Sequence, residues 1–425
     1  VLTFRSFGSL KWKTVSWNQF SLRVKQVSNA LLNLGIKPQE KIAVFSQNCI
    51  QYLYTDFGAY GIRVVSIPFY ATSSESQIQY MINDAEVKYL FVGEQDQYDK
   101  AHRIFPLCPS LERIIIFDES VRVSSHDPNA IYFEDFLRLG EGLPRQTEVE
   151  KRWAEANEDD VCNILYTSGT TGASKGVILN YRQYNAAIIA NGKCVGVSDK
   201  DRAINFLPFT HVFERGWSYL CLSVGAQLII NTYPKEIQDS MRETHPTCMS
   251  SVPRFWEKVY QAVKAKMDEA SGVQRKLFNH ALSVGRRHNI EYLANGKRPP
   301  LALALEYKLV NNTVLSIVRK QLGLEHPNIF PTAGAYVSPE VEQFVHSIGI
   351  TMIVGYGLTE SLATVSCDRP KQKYTIGSVG RLIDGIELKI GENDEILLKG
   401  PTITPGYYHR DEANAQSFDK DGFFH

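Results

Sequence analysis

Residues Tyr166 to Val177 read Tyr-Thr-Ser-Gly-Thr-Thr-Gly-Ala-Ser-Lys-Gly-Val. Thr167, Ser168, Gly169, Thr170, Thr171 and Gly172 form an unbroken run of hydroxyl and glycine residues, and Lys175 adds a mobile positive charge. Glycines let backbone N–H groups turn towards an anion, and short hydroxyls add donors without bulk. The chemistry this composition suits is phosphate binding; a surface loop is the bland alternative. The apolar run Val161 to Leu165 precedes it and a helix-like segment from about Tyr181 to Ala190 follows, so a strand, a loop and a helix N-terminus are expected to build the cradle. It is not a Walker A loop, because Gly176 follows the lysine and no glycine directly precedes it.

Three further stretches carry reactive residue types. His211 lies in Leu-Pro-Phe-Thr-His-Val-Phe-Glu-Arg-Gly, residues 207–216, at the expected end of a strand. That is the rim of an α/β sheet, where ligands bind; a structural histidine is the alternative. Thr332-Ala333-Gly334-Ala335-Tyr336 also follows a strand, and its small residues would let a flat ring approach the backbone, or simply make a tight turn. Gly355-Tyr356-Gly357-Leu358-Thr359-Glu360-Ser361 departs from the dinucleotide fingerprint, because Glu360 stands where the last glycine should be. A carboxylate beside phosphate makes sense with a divalent cation between them. The alternative is an acidic residue in the first turn of a helix. Tyr356 suits either stacking on a base or filling a core.

These residues need a scaffold. The 425 residues exceed one domain unit, and 46 basic residues balance 46 acidic ones, so nothing in the charge suggests nucleic acid as a partner. The seven cysteines form no Cys-x-x-Cys pair and suit reduced thiols in a cytoplasmic protein. No uninterrupted apolar run reaches the roughly 18 to 20 residues of a membrane helix; Arg63 and Pro68 break the most apolar region, Phe57 to Ala71. The chain starts at Val1, so an upstream targeting segment would not be visible. Ser16 to Gly35 has helical periodicity. Ile42 to Phe45, Val64 to Ile67, Tyr89 to Val92 and Ile114 to Phe117 are short continuous apolar runs at helix-length intervals, which predict a parallel α/β sheet. A second α/β series is predicted, with strands at Ala203–Leu207, Gln227–Ile230, Met249–Val252, Asn328–Thr332 and Thr351–Tyr356 and a long helix from Pro253. Ser271 to Leu301 is basic and polar, and Glu387–Ile390 and Glu395–Lys399 suggest a small antiparallel element.

Taken together, the Tyr166–Val177 loop, the Leu207–Gly216 stretch, the Gly355–Glu360 segment and the turn-rich end (Lys399 to Tyr408, then Asp421 to His425) closely resemble the AMP-forming acyl-CoA synthetases of the adenylate-forming superfamily. The resemblance covers essentially the whole chain. The His-Val-Phe-Glu-Arg-Gly wording and the long segment Ser271 to Gln321 look most like the long-chain fatty acyl-CoA synthetases.

The resemblance implies an α/β fold: two packed α/β subdomains with mostly parallel sheets, roughly residues 37–198 and residues 1–36 with 199–365, plus a β-barrel-like subdomain over 366–425. It implies that a fatty acid carboxylate attacks ATP to give acyl-AMP and pyrophosphate, after which CoA displaces AMP. Thr167 and Glu360 would hold Mg²⁺. Ser168, Gly169, Thr170, Thr171, Gly172 and Lys175 would cradle the β- and γ-phosphates. Tyr356 would stack on adenine, with Gly334, Ala335, Tyr336 and Gly357 lining its pocket, and Thr359 would contact the α-phosphate. His211 would sit beside the reacting carboxylate. Phe213, Trp217, Val252 and Pro253 are candidates for lining an acyl tunnel between the subdomains, although Trp217 and Val252 serve equally well as core. The ribose-binding aspartate and a small lid domain with its lysine would lie beyond His425, which would leave this chain poorly active by itself. Delivery of the acyl group to a carrier protein, a luciferase-like oxidase, and a nucleotide- or acyl-binding fragment with little turnover are the alternatives. A lipid substrate implies peripheral access to a membrane. Oligomeric state stays open, with a dimer one option.

Overall fold

The computed structural model describes every residue except 126, 142–144, 168–173 and 371. Two compact units divide the chain: Val1–Ala186 with Pro208–Arg215 and Leu388–His425, and Ala187–Leu207 with Gly216–Glu387.

The first unit is built on a seven-stranded sheet. Across it the order is Ala130–Tyr132, Arg113–Ile116, Val87–Val92, Lys41–Phe45, Val65–Phe69, Val161–Thr167 and Lys175–Asn180. Neighbours run parallel except the last pair, which is antiparallel. The continuous apolar runs have the composition of strands covered on both faces, and Phe45, Ile67, Phe69, Leu90 and Ile114 are fully buried. Polar Asn163 sits inside one such run because its neighbours satisfy it. Its amide donates to Ser66 O at 2.6 Å, and its carbonyl accepts from the hydroxyls of Tyr60 and Tyr184 at 3.0 and 2.7 Å. Ser16 and Ser74 start the helices Trp17–Asn33 and Glu75–Ala85 with reciprocal capping boxes to Gln19 and Gln77. Helix Ile50–Tyr60 packs on Trp17–Asn33 at Gly58, where a Cβ would lie 2.5 Å from a Val27 methyl.

The second unit holds two parallel strand pairs, Arg202–Asn205 with Gln227–Ile230 and Phe330–Thr332 with Met352–Tyr356. The expected strand Met249–Val252 is not formed. Only isolated bridges tie Cys248 to Ala203 and Ile329, and Ser251 to Thr332. The helix Pro253–Glu269 begins at its proline as anticipated. The basic stretch after it contains helix Gly272–Arg286, capped by Ser271 and Gln274. A second helical run, Leu301–Gln321, spans 21 residues with a mean hydropathy of 1.2, the length and composition of a membrane crossing. Glu306 and Lys308 interrupt that run and hide it in the sequence.

No barrel closes among the described residues. Of the expected β-rich part, Ser366–Cys367 and Arg381–Leu382 extend the sheet of Phe330–Thr332 and Met352–Tyr356 by antiparallel pairing, and Glu387–Ile390 forms a separate two-stranded element with Ile396–Lys399, tied by a bridge from Leu398 to Phe424. Its strands are too few and too short to curl on themselves. All seven cysteines are buried free thiols.

Candidate active site

The strand Val161–Thr167 pairs antiparallel with Lys175–Asn180, and Thr167 stands opposite Lys175. The glycine- and hydroxyl-rich stretch therefore connects two strands, and the anticipated strand–loop–helix order is corrected. The apolar Val177-Ile178-Leu179 belongs to this second strand, which separates the loop from helix Tyr181–Val195. Ser168, Gly169, Thr170, Thr171 and Gly172 lie outside the described residues.

The base of this hairpin is clamped. Tyr166 donates its phenol to Asp84 Oδ2 at 2.6 Å, and Arg410 donates to Asp84 Oδ1 at 2.7 Å and to the Tyr80 hydroxyl. Tyr80 in turn donates to the carbonyl of Ser174 at 2.9 Å, and its ring meets Tyr166 edge-on. Burial, reinforced by the Asp84 carboxylate, raises the Tyr166 phenol far above its ordinary pKa, so it stays a donor. Gly176 allows the tight pairing: a Cβ there would come 2.6 Å from an Ile164 methyl and 3.3 Å from the Tyr166 ring. On the other edge Tyr408 N–H donates to Gly176 O at 2.8 Å and Ile178 N–H to Gly406 O at 3.0 Å. The Lys175 ammonium stands 5.1 Å from the centroid of the Tyr407 ring. Asp84, Tyr80 and Arg410 were not anticipated. The one hint in the sequence is a tyrosine at the end of an apolar strand, which needs a partner when buried.

The His211 stretch is anchored in the same unit. Arg215 is fully buried and donates to Asp56 Oδ2 at 2.7 Å, Phe209 O at 2.9 Å and Tyr60 Oη at 3.0 Å. Removing either partner of such a buried ion pair would leave an uncompensated buried charge. Phe209 N–H donates to Asn48 Oδ1 at 2.8 Å. His211 keeps an exposed edge, yet the surrounding protein desolvates its ring and lowers its pKa below the ordinary imidazole value. Phe213 N–H donates to His211 Nδ1 at 3.2 Å. A neutral ring whose Nδ1 accepts carries its proton on Nε2, free to donate outward. Phe213 is half-buried.

In the second unit Gly334, Ala335 and Tyr336 form an exposed turn after Phe330–Thr332, with Tyr336 75 % exposed. Gly334 has φ +89°, which favours glycine, and only a Val252 methyl lies near its missing side chain, at 4.0 Å. Val252 is half-buried; Pro253 and Trp217 are buried. Tyr356 ends its strand half-buried, opposite Ser366, and its carbonyl accepts from Val365 N–H at 2.8 Å. The chain then turns back through Leu362 and Ala363, both at positive φ. A Cβ on Gly357 would lie 1.6 Å from the Ala363 carbonyl oxygen, so only glycine fits. Thr359 and Glu360 sit half-buried on a three-residue 3₁₀ turn, Thr359–Ser361, pinned by a Leu358 N–H bond to Ser361 Oγ at 2.9 Å. Glu360 thus stands in a first helical turn, as the alternative reading has it, but the turn does not continue into a longer helix. Among the described residues no three His, Cys, Asp or Glu side chains gather as a metal cage. A cleft of about 840 Å³ in the first unit, bordered by Leu22, Arg23, Tyr54 and Phe133, includes none of the residues singled out from the sequence.

The long-chain-fatty-acid–CoA ligase ACSBG2 of Xenopus laevis is 26 % identical over 429 residues, 98 % of this chain and 57 % of that protein. The long-chain-fatty-acid–CoA ligase ACSBG1 of Mus musculus is 24 % identical over 428 residues, 98 % of this chain and 58 % of that protein. The chain thus spans less than three fifths of the length of these curated relatives. The crystal structure of a long-chain-fatty-acid-CoA ligase (FadD1) from Archaeoglobus fulgidus superposes with a TM-score of 0.71 at 17 % identity, over 100 % of this chain and 76 % of that one, and shares its fold. The family model described as AMP-binding enzyme matches residues 3–408, and over that span the chain belongs to the AMP-binding enzyme family.

Proposed function

We propose that this chain is the adenylating part of a ligase that activates a fatty acid with ATP and passes the acyl group to CoA. The observation that carries the reading is the clamped strand pair, which sets Thr167 opposite Lys175 at the two ends of a sequence run of hydroxyl and glycine residues. In the first step a carboxylate oxygen attacks the α-phosphorus of ATP, the bond to the bridging β-phosphate oxygen breaks, and pyrophosphate leaves. In the second the CoA thiol, losing its proton, attacks the acyl carbonyl and AMP leaves. The names of the relatives, long-chain-fatty-acid–CoA ligases, support this substrate class.

A fatty carboxylate with a pKa of about 4 to 5 is already ionised at neutral pH, so the first step needs no general base. It needs two anions held together and a stabilised leaving group. Backbone N–H groups and hydroxyls of residues 168–172, with Lys175, are proposed to hold the β- and γ-phosphates. His211, neutral with its proton on Nε2, is suited to donate to the carboxylate without adding a charge. Tyr356, with Gly334, Ala335, Tyr336 and Gly357, is proposed for adenine and Thr359 for the α-phosphate. Phe213, Trp217, Val252 and Pro253 are the proposed acyl-chain contacts.

The Glu360 carboxylate and Thr167 hydroxyl are hard oxygen donors of the kind Mg²⁺ accepts. They are proposed to hold a Mg²⁺ that neutralises phosphate charge when bound. This assignment rests on residue type and order along the chain.

The test is ATP–pyrophosphate exchange by the full-length protein against acids from two to twenty carbons, followed by acceptor competition between CoA and an acyl carrier protein. Exchange peaking with long-chain acids, with product accumulating only on CoA, supports the reading. Exchange confined to short or aryl acids removes the fatty substrate, and no exchange with any acid removes the activity.

A further inference from the structure

The helix Leu301–Gln321 has two contrasting sides. Leu303, Val310 and Leu315 are buried, and the Arg319 guanidinium donates to Ile348 O at 2.6 Å, so one side is fixed to the unit. On the other, Leu301, Leu305 and Leu309 follow one another at four-residue steps and are 76 %, 60 % and 65 % exposed, with Ile317 53 % exposed beyond them. A single exposed leucine is ordinary; a row of them on one helix is not. The preceding helix, Gly272–Arg286, packs against this one and exposes Val273 and Leu277 one turn apart.

Charge distinguishes the occupant. The whole chain is neutral, yet from Lys264 to Lys320 lysine and arginine far outnumber acids, of which there are only Asp268, Glu269, Glu291 and Glu306. Lys297 and Arg298 lie just before the leucine row, Lys308 is exposed within it and Lys320 ends it; Lys276 lies beside Leu277. No ion pair among the described residues engages these five. Leucines flanked by long cationic side chains match an anionic bilayer: the leucines enter the acyl boundary while the ammonium and guanidinium groups reach the phosphates. A spanning orientation would strip away the buried side and carry Glu306, Lys308, Asn311 and Asn312 into hydrocarbon.

We propose that the outer face of Leu301–Gln321 docks this protein, parallel to the surface, on membranes rich in anionic lipid. The inference rests on the fatty acid activation proposed above only for the reason to visit a membrane, since a long-chain acid partitions there.

Co-sedimentation of the chain with phosphatidylcholine vesicles, with and without phosphatidylserine, tests it. Binding should require phosphatidylserine and weaken with added salt. Leu305→Glu with Leu309→Glu should lower partitioning about tenfold or more at an unchanged thermal midpoint. Lys297→Glu with Arg298→Glu and Lys308→Glu should abolish the lipid selectivity while leaving the leucines in place. Equal binding by wild type and both variants, or no binding to either vesicle, overturns the proposal. So does a lipid-independent dimer, seen by light scattering, that the leucine variant dissociates. Adenylation measured in parallel without lipid separates the two readings, since vesicle binding with no adenylation leaves the docking face standing and removes only its purpose.

Discussion

The hairpin at Thr167 and Lys175 and the turn at Gly357 to Ser361 are held in opposite ways. Side chains hold the first: Tyr166, Asp84, Arg410 and Tyr80 link a strand, a helix and a distant segment beside the Thr167–Lys175 pair. Backbone holds the second. Its geometry comes from a glycine against a carbonyl oxygen, two residues at positive φ and one serine bond. A site held by side chains can be loosened in small steps, whereas one held by backbone contact either fits or must rebuild.

The sharpest way to break this contrast is Gly357→Ala. With no room for a methyl, the turn must move, and a loss on the order of 4 kcal/mol, or a displaced turn, is expected. Thermal unfolding with ATP-binding calorimetry would detect it; wild-type stability and binding would show that the turn yields easily. Asp84→Asn should be milder, about 1 to 2 kcal/mol, because it weakens charge-assisted bonds to Tyr166 and Arg410 without creating a void. A several-fold rise in KM for ATP with an intact fold is expected, and an unchanged KM would mean that the clamp does not position the loop.

Asp368 tests the strand beneath the turn. Its N–H donates to Val354 O at 3.0 Å, and its side chain is buried. Burial, then the nearby Glu342 charge, pushes its pKa from 3.8 up to about 7. The folded chain keeps a proton here that the unfolded chain releases between these values. The resulting stabilisation is full below about pH 4 and is lost as pH rises through about 7, at up to ~1.4 kcal/mol per pH unit. Asp368→Asn removes this slope, so the thermal midpoint of the variant relative to wild type should rise between about pH 5 and pH 8. A constant difference would mean that the carboxyl titrates normally. Glu360→Ala should affect stability least, within about 0.5 kcal/mol, because Glu360 is part exposed on a single turn and its loss leaves no buried void. Mg²⁺-dependent ATP binding should nevertheless fall sharply, and retained Mg²⁺ dependence would remove Glu360 from the metal.

The same contrast explains what could be read from the residues. The strands Lys41–Phe45, Val65–Phe69, Val87–Val92 and Arg113–Ile116 announced themselves because a parallel sheet covered on both faces leaves unbroken apolar runs. Strand Lys175–Asn180 is not legible as a strand, since Gly176 is its second residue and Asn180 ends it. Met249–Val252 has strand composition but only bridge contacts, because burial and extension do not by themselves close a ladder. The chemical residues were legible as local runs. Their supports were not: Asp84 and Arg410 lie hundreds of positions apart, and neither belongs to a motif. The exposed leucine row is not legible in the sequence, because residues 301–305 read Leu-Ala-Leu-Ala-Leu and only the fold separates the buried Leu303 from the exposed Leu301 and Leu305.

The segment from Thr404 to Tyr408 has one more consequence. Strand Lys175–Asn180 is the outermost of its sheet, with apolar Val177, Ile178 and Leu179. Open edges of that composition recruit other chains. Gly406 and Tyr408 occupy that edge with backbone bonds, and Thr404 Oγ1 donates to Ile178 O at 2.7 Å. The stretch thus works as a selvedge, finishing the sheet where it would otherwise unravel into aggregates. A piece of this protein cut just before Thr404 would be prone to form fibrous or amorphous assemblies even though every strand of the sheet remained.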